Sequence, residues 1–207
     1  MSESDSMAAS SERLLVNVGC GPAGSGWLPA MFATWRHLRV DVDANVKPDV
    51  VASATDLSAV ASGSAAAVWS AHCIEHLYAH DVMRALAEFH RVLADDGFAC
   101  IIVPDLQVIA RQIVADRLHE VLYESAAGPV TAHDVLFGFG PALAQGRHSM
   151  AHRCGFTPTL MVKRLSEATF AEIIVRRRPS LELAAVGRKT PSIDVADREA
   201  LLAKLEL

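Results

Sequence analysis

The sequence predicts an α/β fold: one doubly wound sheet of seven strands, mostly parallel, with the last strand antiparallel. Three observations carry that expectation. Five short, near-continuously apolar runs lie between residues 14 and 103, as strands buried on both faces do. An amphipathic pattern over residues 81–94 separates the last two runs, so they read as parallel neighbours joined by a crossover helix. Two further β-rich runs follow, broken by Pro179-Ser180, and read as a hairpin that completes the sheet.

The elements follow in order. Leu14–Val18 is the first strand and ends abruptly in Gly19-Cys20-Gly21-Pro22. Pro22, Gly24, Gly26 and Pro29 crowd the start of the next helix, which is expected to be short, Ala30 to Arg36. Leu38–Val42 is the second strand and delivers Asp41, with Asp43 just beyond. Asp49–Ala52 and Ala65–Ser70 are the third and fourth. The clearest helix runs from Asp81, its expected N-cap, to Ala94. Val82, Leu86, Phe89 and Leu93 share one face of it, and Arg84, Glu88 and Arg91 mark the wet side. Asp95-Asp96-Gly97 breaks it before the fifth strand, Phe98–Val103, which Pro104 closes. Thr157 before Pro158 reads as a helix start, with the helix reaching about Ala168. Phe170–Arg177 and Leu181–Arg188 form the hairpin.

The main domain is expected to span residues 13–190. Residues 1–12 are Ser-rich and acidic, without the basic and apolar regions of a signal peptide, and read as a disordered leader. Residues 118–156 show no periodic pattern but carry His133, Arg147, His148, His152 and Arg153 among glycines and aromatics. A stretch of this length in a small domain reads as a flap or lid. The tail, residues 191–207, places Val195, Leu201, Leu202 and Leu205 on a short helix that docks on the body or on a second subunit, which admits a homodimer.

Composition narrows the class. With 51% hydrophobic residues, the chain can bury a sizeable core, yet no apolar run reaches the roughly 18–20 residues of a membrane span. A net charge of −5 without a broad basic surface argues against a nucleic-acid substrate; Arg176-Arg177-Arg178 reads as a solvated strand end. Cys20, Cys73, Cys100 and Cys154 include no CxxC pair and read as reduced, which points to a cytoplasmic protein without a membrane partner.

A glycine turn after a first strand, with a carboxylate about twenty residues on, is how open α/β sheets hold an adenosine-containing ligand. Two rival spellings overlap it. Gly19-Cys20-Gly21-Pro22-Ala23-Gly24 satisfies the GxGxxG of a nicotinamide enzyme, but Pro22, Gly26 and Pro29 discourage the helix that motif needs. His72-Cys73-Ile74-Glu75-His76 spells the HxxEH of zinc peptidases, but it follows a strand directly instead of lying within a helix. No metal is expected.

Four segments together resemble the class I S-adenosylmethionine-dependent methyltransferases, of the methyltransferase type 11-like kind. They are Val16-Asn17-Val18-Gly19-Cys20-Gly21-Pro22, Val40-Asp41-Val42-Asp43, Ser70-Ala71-His72-Cys73-Ile74-Glu75-His76-Leu77 and Arg91-Val92-Leu93-Ala94-Asp95-Asp96-Gly97-Phe98. Val103-Pro104-Asp105-Leu106, Ala127-Gly128-Pro129-Val130 and Met150–Thr157 further resemble a bacterial subgroup of unassigned substrate. The resemblance covers roughly Leu14 to Lys189. It implies a Rossmann-like sheet, S-adenosyl-L-methionine as cofactor and a small-molecule acceptor. It further implies cofactor contacts from Asn17, Gly19, Cys20, Gly21, Asp41, Asp43, Ala54, Asp56, Ala71 and His72. The chain departs from the family where an acid is common: Asn17 stands at one such place and Ser53 at another, with Asp56 three residues on. His148 and His152, in the expected flap, are the candidates for base or substrate anchor. The alternatives are a non-catalytic S-adenosylmethionine-binding or adaptor protein of the same fold, and an NAD(P)-dependent oxidoreductase.

Overall fold

A computed structural model describes residues 12–24 and 26–207. The expected leader therefore lies, but for Glu12, outside the described residues. Seven strands form one sheet: β1 (Leu14–Val18), β2 (Arg36–Asp41), β3 (Val50–Val51), β4 (Ala65–Ala71), β5 (Leu93–Pro104), β8 (Glu172–Arg178) and β9 (Glu182–Arg188). A separate two-stranded hairpin pairs β6 (Val121–Ser125) with β7 (Gly128–Thr131). The order in the large sheet is β3-β2-β1-β4-β5-β9-β8. Strands β1 to β5 run parallel, and β9 is antiparallel to both β5 and β8. This is the expected seven-stranded, mostly parallel α/β sheet with its last strand reversed. The strand order turns back between β1 and β4, so the carboxyl ends of β1, β2 and β4 lie side by side.

Alternation along each strand divides the core into two layers. Leu14, Val16 and Val18 of β1, with Ala99, Ile101 and Val103 of β5, face α1 (Val82–Val92) and α5 (Pro158–Glu167). From these helices Val82, Leu86, Phe89, Met161 and Leu165 join the same layer. Leu15, Cys100 and Ile102 point the other way, onto Phe32, Trp69, Phe98, Leu202 and Leu205. The last two leucines come from the C-terminal helix α6 (Val195–Lys204) and the residue after it.

Several boundaries differ from expectation. The helix after the glycine turn shrinks to a 3₁₀ turn, Ala30–Phe32, because β2 begins at Arg36. Helix α1 stops at Val92, and Asp81 precedes it without a side-chain cap, pairing with Arg84 instead. Leu93 already pairs with Ala65, while Phe98 pairs with Ala67. Asp95-Asp96-Gly97 is thus a bulge within β5, where extra residues bend a strand. Thr157 does cap α5, accepting from Leu160 N at 3.3 Å.

The segment expected to lack regular structure contains the β6–β7 hairpin and two short helices, α3 (Ala132–Phe137) and α4 (Gly140–Ala144). Before it, α2 (Leu106–Val114) was not anticipated as a separate helix. Its cap is Asp105, a fully buried carboxylate that accepts from Gln107 N at 2.9 Å and from Arg177 Nε at 2.7 Å. Arg177 is therefore an ion-pair partner instead of a solvated strand end.

Candidate active site at the carboxyl ends of β1, β2 and β4

The β1–β2 register pairs Val18 with Val40, so the residues after each strand meet. Gly19 N and Cys20 N both donate to Val40 O, at 2.9 and 3.1 Å. Gly21 N donates to Asp41 Oδ2 at 2.9 Å. Asp43 N donates to Asp41 Oδ1 at 2.9 Å. Asp41 thus closes the turn from both sides, yet each of its oxygens keeps lone-pair capacity for a ligand hydroxyl. Arg39 braces the outside of the turn, donating from Nη2 to Gly21 O at 2.7 Å and from Nη1 to Lys47 O at 2.8 Å.

Glycine is required at the first turn position. Gly19 has φ +70°, and a Cβ there would lie 2.7 Å from both Cβ and Sγ of Cys73. Gly21 is also left-handed, at φ +59°. Burial pushes the Cys20 thiol above its ordinary value. These geometries bring Gly19, Cys20, Gly21 and Asp41 together at the ends of β1 and β2.

The other expected cofactor residues are placed less directly. Asn17 sits in β1 between Arg39 and Trp69 of the neighbouring strands. Asp43 is occupied locally: its Oδ1 accepts from Asn45 N at 2.9 Å and Asn45 Nδ2 at 2.7 Å. Ala54 is buried. Asp56 is held below the usual carboxylate range by its hydrogen bonds from Ser58. Ser53, at the place where an acid is common, spends its hydroxyl on Thr55 at 2.9 Å. Ala71 ends β4, and His72 follows with φ +50°.

The His72 ring is fixed between two acids. Nε2 lies 2.8 Å from Glu182 Oε1, and Nδ1 lies 3.3 Å from Glu75 Oε1. Burial opposes protonation, but these two carboxylates outweigh it and raise the ring's pKa to about 10. The ring is half exposed, so solvent screens part of that attraction. With both nitrogens engaged, His72 lines the end of β4 through its backbone.

Beyond it, the 3₁₀ turn Ile74–His76 meets the end of the 118–156 segment. Arg153 N and Cys154 N donate to Glu75 O at 2.8 and 3.2 Å, and Arg153 Nη1 donates to His76 O at 2.6 Å. His152 packs edge-on against His76, with ring centroids 4.8 Å apart. Nδ1 of His76 donates to Ala151 O at 3.2 Å, and Nδ1 of His152 donates to Val135 O at 2.8 Å. Burial lowers the His152 pKa, which favours the neutral ring. The Glu75 side chain is buried, and no hydrogen bond reaches either of its oxygens.

The structure therefore brings His152, but not His148, into a cluster. His148 is exposed, and only its backbone engages the loop. Sequence reasoning missed Glu75 as a site residue. The HxxEH spelling drew attention to the string, but nothing local announced that His152 would complete the group.

The sheet order and the turn define the class of protein. This is the Rossmann-like fold of the class I S-adenosylmethionine-dependent methyltransferases. Within it, residues 16–101 match the family described as "Methyltransferase domain". Solved structures agree on the fold. The CMeT domain of the citrinin polyketide synthase superposes with a TM-score of 0.55 at 13% identity, over 87% of this chain and 47% of that one. The chain thus spans about half the length of that structure. The 1,6-didemethyltoxoflavin-N1-methyltransferase of Burkholderia thailandensis, solved with 1,6-didemethyltoxoflavin and S-adenosylhomocysteine bound, gives 0.51 at 17% identity, over 87% and 72%. An S-adenosylmethionine-dependent methyltransferase from Archaeoglobus fulgidus gives 0.55 at 12% identity, over 86% of each chain. No curated protein sequence matches the chain. Among the described residues, no helix is long and apolar enough to cross a membrane.

Proposed function

We propose that this protein is an active methyltransferase that moves a methyl group from S-adenosyl-L-methionine to a small-molecule acceptor. The observation that carries the reading is the Gly19-Cys20-Gly21 turn closed by Asp41 at the carboxyl ends of β1 and β2. Ligands of open α/β sheets lie at such a reversal of strand order. Asp41 would accept from the ribose hydroxyls, and Asp43 is the less favoured candidate because its Oδ1 is already engaged. Backbone of Gly19, Cys20, Gly21 and Ala71 would line the donor, with Asn17 beneath it and Ala54 and Asp56 toward the adenine. His72, turned by its left-handed backbone, closes the β4 side.

Bound there, S-adenosyl-L-methionine supplies an electrophilic methyl on a sulfonium. The chain's contribution is orientation of the acceptor and, where needed, acceptance of a proton. His152 is the better placed of the two flap histidines, because backbone bonds hold it at the β4 side of the site. His148 would serve only after movement of its exposed loop.

Calorimetry against S-adenosylhomocysteine and NAD tests the cofactor: we expect binding of the first and none of the second. NAD binding without S-adenosylhomocysteine binding would sink the reading. Release of S-adenosylhomocysteine when the protein is given donor and a metabolite extract separates an active enzyme from a non-catalytic binding protein of the same fold.

A further inference from the structure

We infer that Glu75, His76 and His152 form a binding site for a divalent first-row transition ion. Their ligand atoms all lie within 4.8 Å of one another. Zinc ligands at ~2.0–2.2 Å from the metal sit roughly 3.4 Å apart, so closure needs the ligand atoms to approach one another by up to about 1.4 Å.

Two independent features point to a cation. The first is the Glu75 carboxylate, only 1% exposed and without a hydrogen bond to either oxygen. Burying a carboxylate costs several kcal/mol unless a partner compensates it. His72 Nδ1, 3.3 Å from Oε1, compensates one side only and shares its ring with Glu182. The second feature is the setting of both imidazoles. A backbone carbonyl can only accept, so the bonds to Ala151 O and Val135 O place the proton on Nδ1 in each ring. Each Nε2 is then an unprotonated donor. A ligating histidine is held and oriented in this way by its other nitrogen.

The scaffold is rigid where it matters. Glu75 O accepts from Arg153 N and Cys154 N, so the two ligand-bearing segments are tied by backbone. Two imidazoles and a carboxylate suit zinc, manganese or iron, and disfavour magnesium and calcium, which prefer all-oxygen shells. Cys154 Sγ is directed to Ile74 O at 3.4 Å and stays outside the set. Three protein ligands leave coordination positions open, as at catalytic zinc sites. The sequence expectation of no metal rested on the placement of HxxEH directly after a strand and on the absence of a cysteine pair with ligand spacing. The structure instead recruits only Glu75 and His76 from that string and takes its third ligand from a distant segment.

The test reads metal binding directly, without activity. Protein stripped with a chelator is titrated calorimetrically with Zn²⁺, Mn²⁺ and Mg²⁺, and its melting temperature is followed with each. One equivalent of Zn²⁺ is expected to bind and to raise the melting temperature, with Mg²⁺ inert. Glu75→Gln and His152→Gln should each weaken Zn²⁺ binding by at least about 10²-fold. His80→Ala, an exposed neighbour, should leave it unchanged. Absence of stoichiometric Zn²⁺ binding by the unmodified protein, or equal binding by Glu75→Gln, overturns the site. Should the variants not fold, the cobalt spectrum of the unmodified protein decides. Visible bands of nitrogen and oxygen ligation support the site, and a thiolate charge-transfer band or no bands refutes it.

Discussion

Two carboxylates flank the glycine turn and meet opposite treatment from the chain. Asp41 ends β2 and Glu75 follows β4, with β1 between them in the sheet. Asp41 is half-buried and takes a backbone N–H on each oxygen. Glu75 is buried and takes no backbone N–H; only the His72 ring stands 3.3 Å from one of its oxygens. The first carboxylate builds structure and keeps spare lone pairs for a ligand. The second has been removed from water with only the His72 ring, 3.3 Å from one of its oxygens, set against its charge. Equal charge near one sheet edge therefore does not mean equal role; the inventory of donors around each acid separates them.

The turn between the two acids is where disruption should be largest. Gly19→Ala would place a methyl 2.7 Å from Cys73 and hold alanine at φ +70°. The strained backbone alone costs about 1–3 kcal/mol, and relief of the clash must displace Cys73, on the strand-β4 side. We expect urea denaturation to show a loss of at least ~2 kcal/mol and calorimetry to show no S-adenosylhomocysteine binding. A variant of unchanged stability and affinity would mean that the turn is not wedged between the two segments.

The comparison itself is tested by paired substitutions. Asp41→Ala orphans Gly21 N and Asp43 N, so stability should fall by about 1–3 kcal/mol and S-adenosylhomocysteine affinity by tenfold or more. Asp43→Ala removes only contacts to Asn45 and should matter less to affinity. Glu75→Gln, measured in chelator, breaks only the 3.3 Å pairing with His72 and no hydrogen bond, so stability should fall by less than in Asp41→Ala. Equal destabilisation by Asp41→Ala and Glu75→Gln would erase the distinction.

The same contrast explains what could be read from the sequence. β1, β4, Phe98–Val103 of β5 and Leu183–Val186 of β9 are near-continuous apolar runs, and their burial follows from composition. The Gly21–Asp41 contact is legible because the order β2-β1 and a parallel register join residues only twenty apart. The β6–β7 hairpin is mostly exposed, so no alternation marks it. Helices α3 and α4, of six and five residues, are too short to show a helical period. The cluster at Glu75 needs His152 brought across 77 positions through Val135, Ala151 and Arg153, which are tertiary contacts with no local signature. Local pattern thus carried the turn, and only the folded chain carried the cluster.

The smallest expected effect tests whether an unpartnered polar ring is penalised elsewhere, away from both acids. His90 lies on α1 with its ring edge-on to Phe170, centroids 5.2 Å apart. Burial lowers its pKa, and the charge of Lys189 lowers it further. A histidine whose folded pKa is depressed takes up its proton first in the unfolded chain. Its contribution is therefore neutral above the unfolded value of about 6.5 and becomes destabilising as pH falls through that value toward the folded one. Below the folded pKa both states are protonated and the loss levels off. His90→Gln should remove this component: the difference in melting temperature between variant and parent should shift in the variant's favour from pH 7.5 to pH 5.5. Because the ring is partly solvated, direction is the readout. A difference that is constant with pH, or that moves toward the parent on acidification, would show that the ring's apolar setting does not penalise its charge.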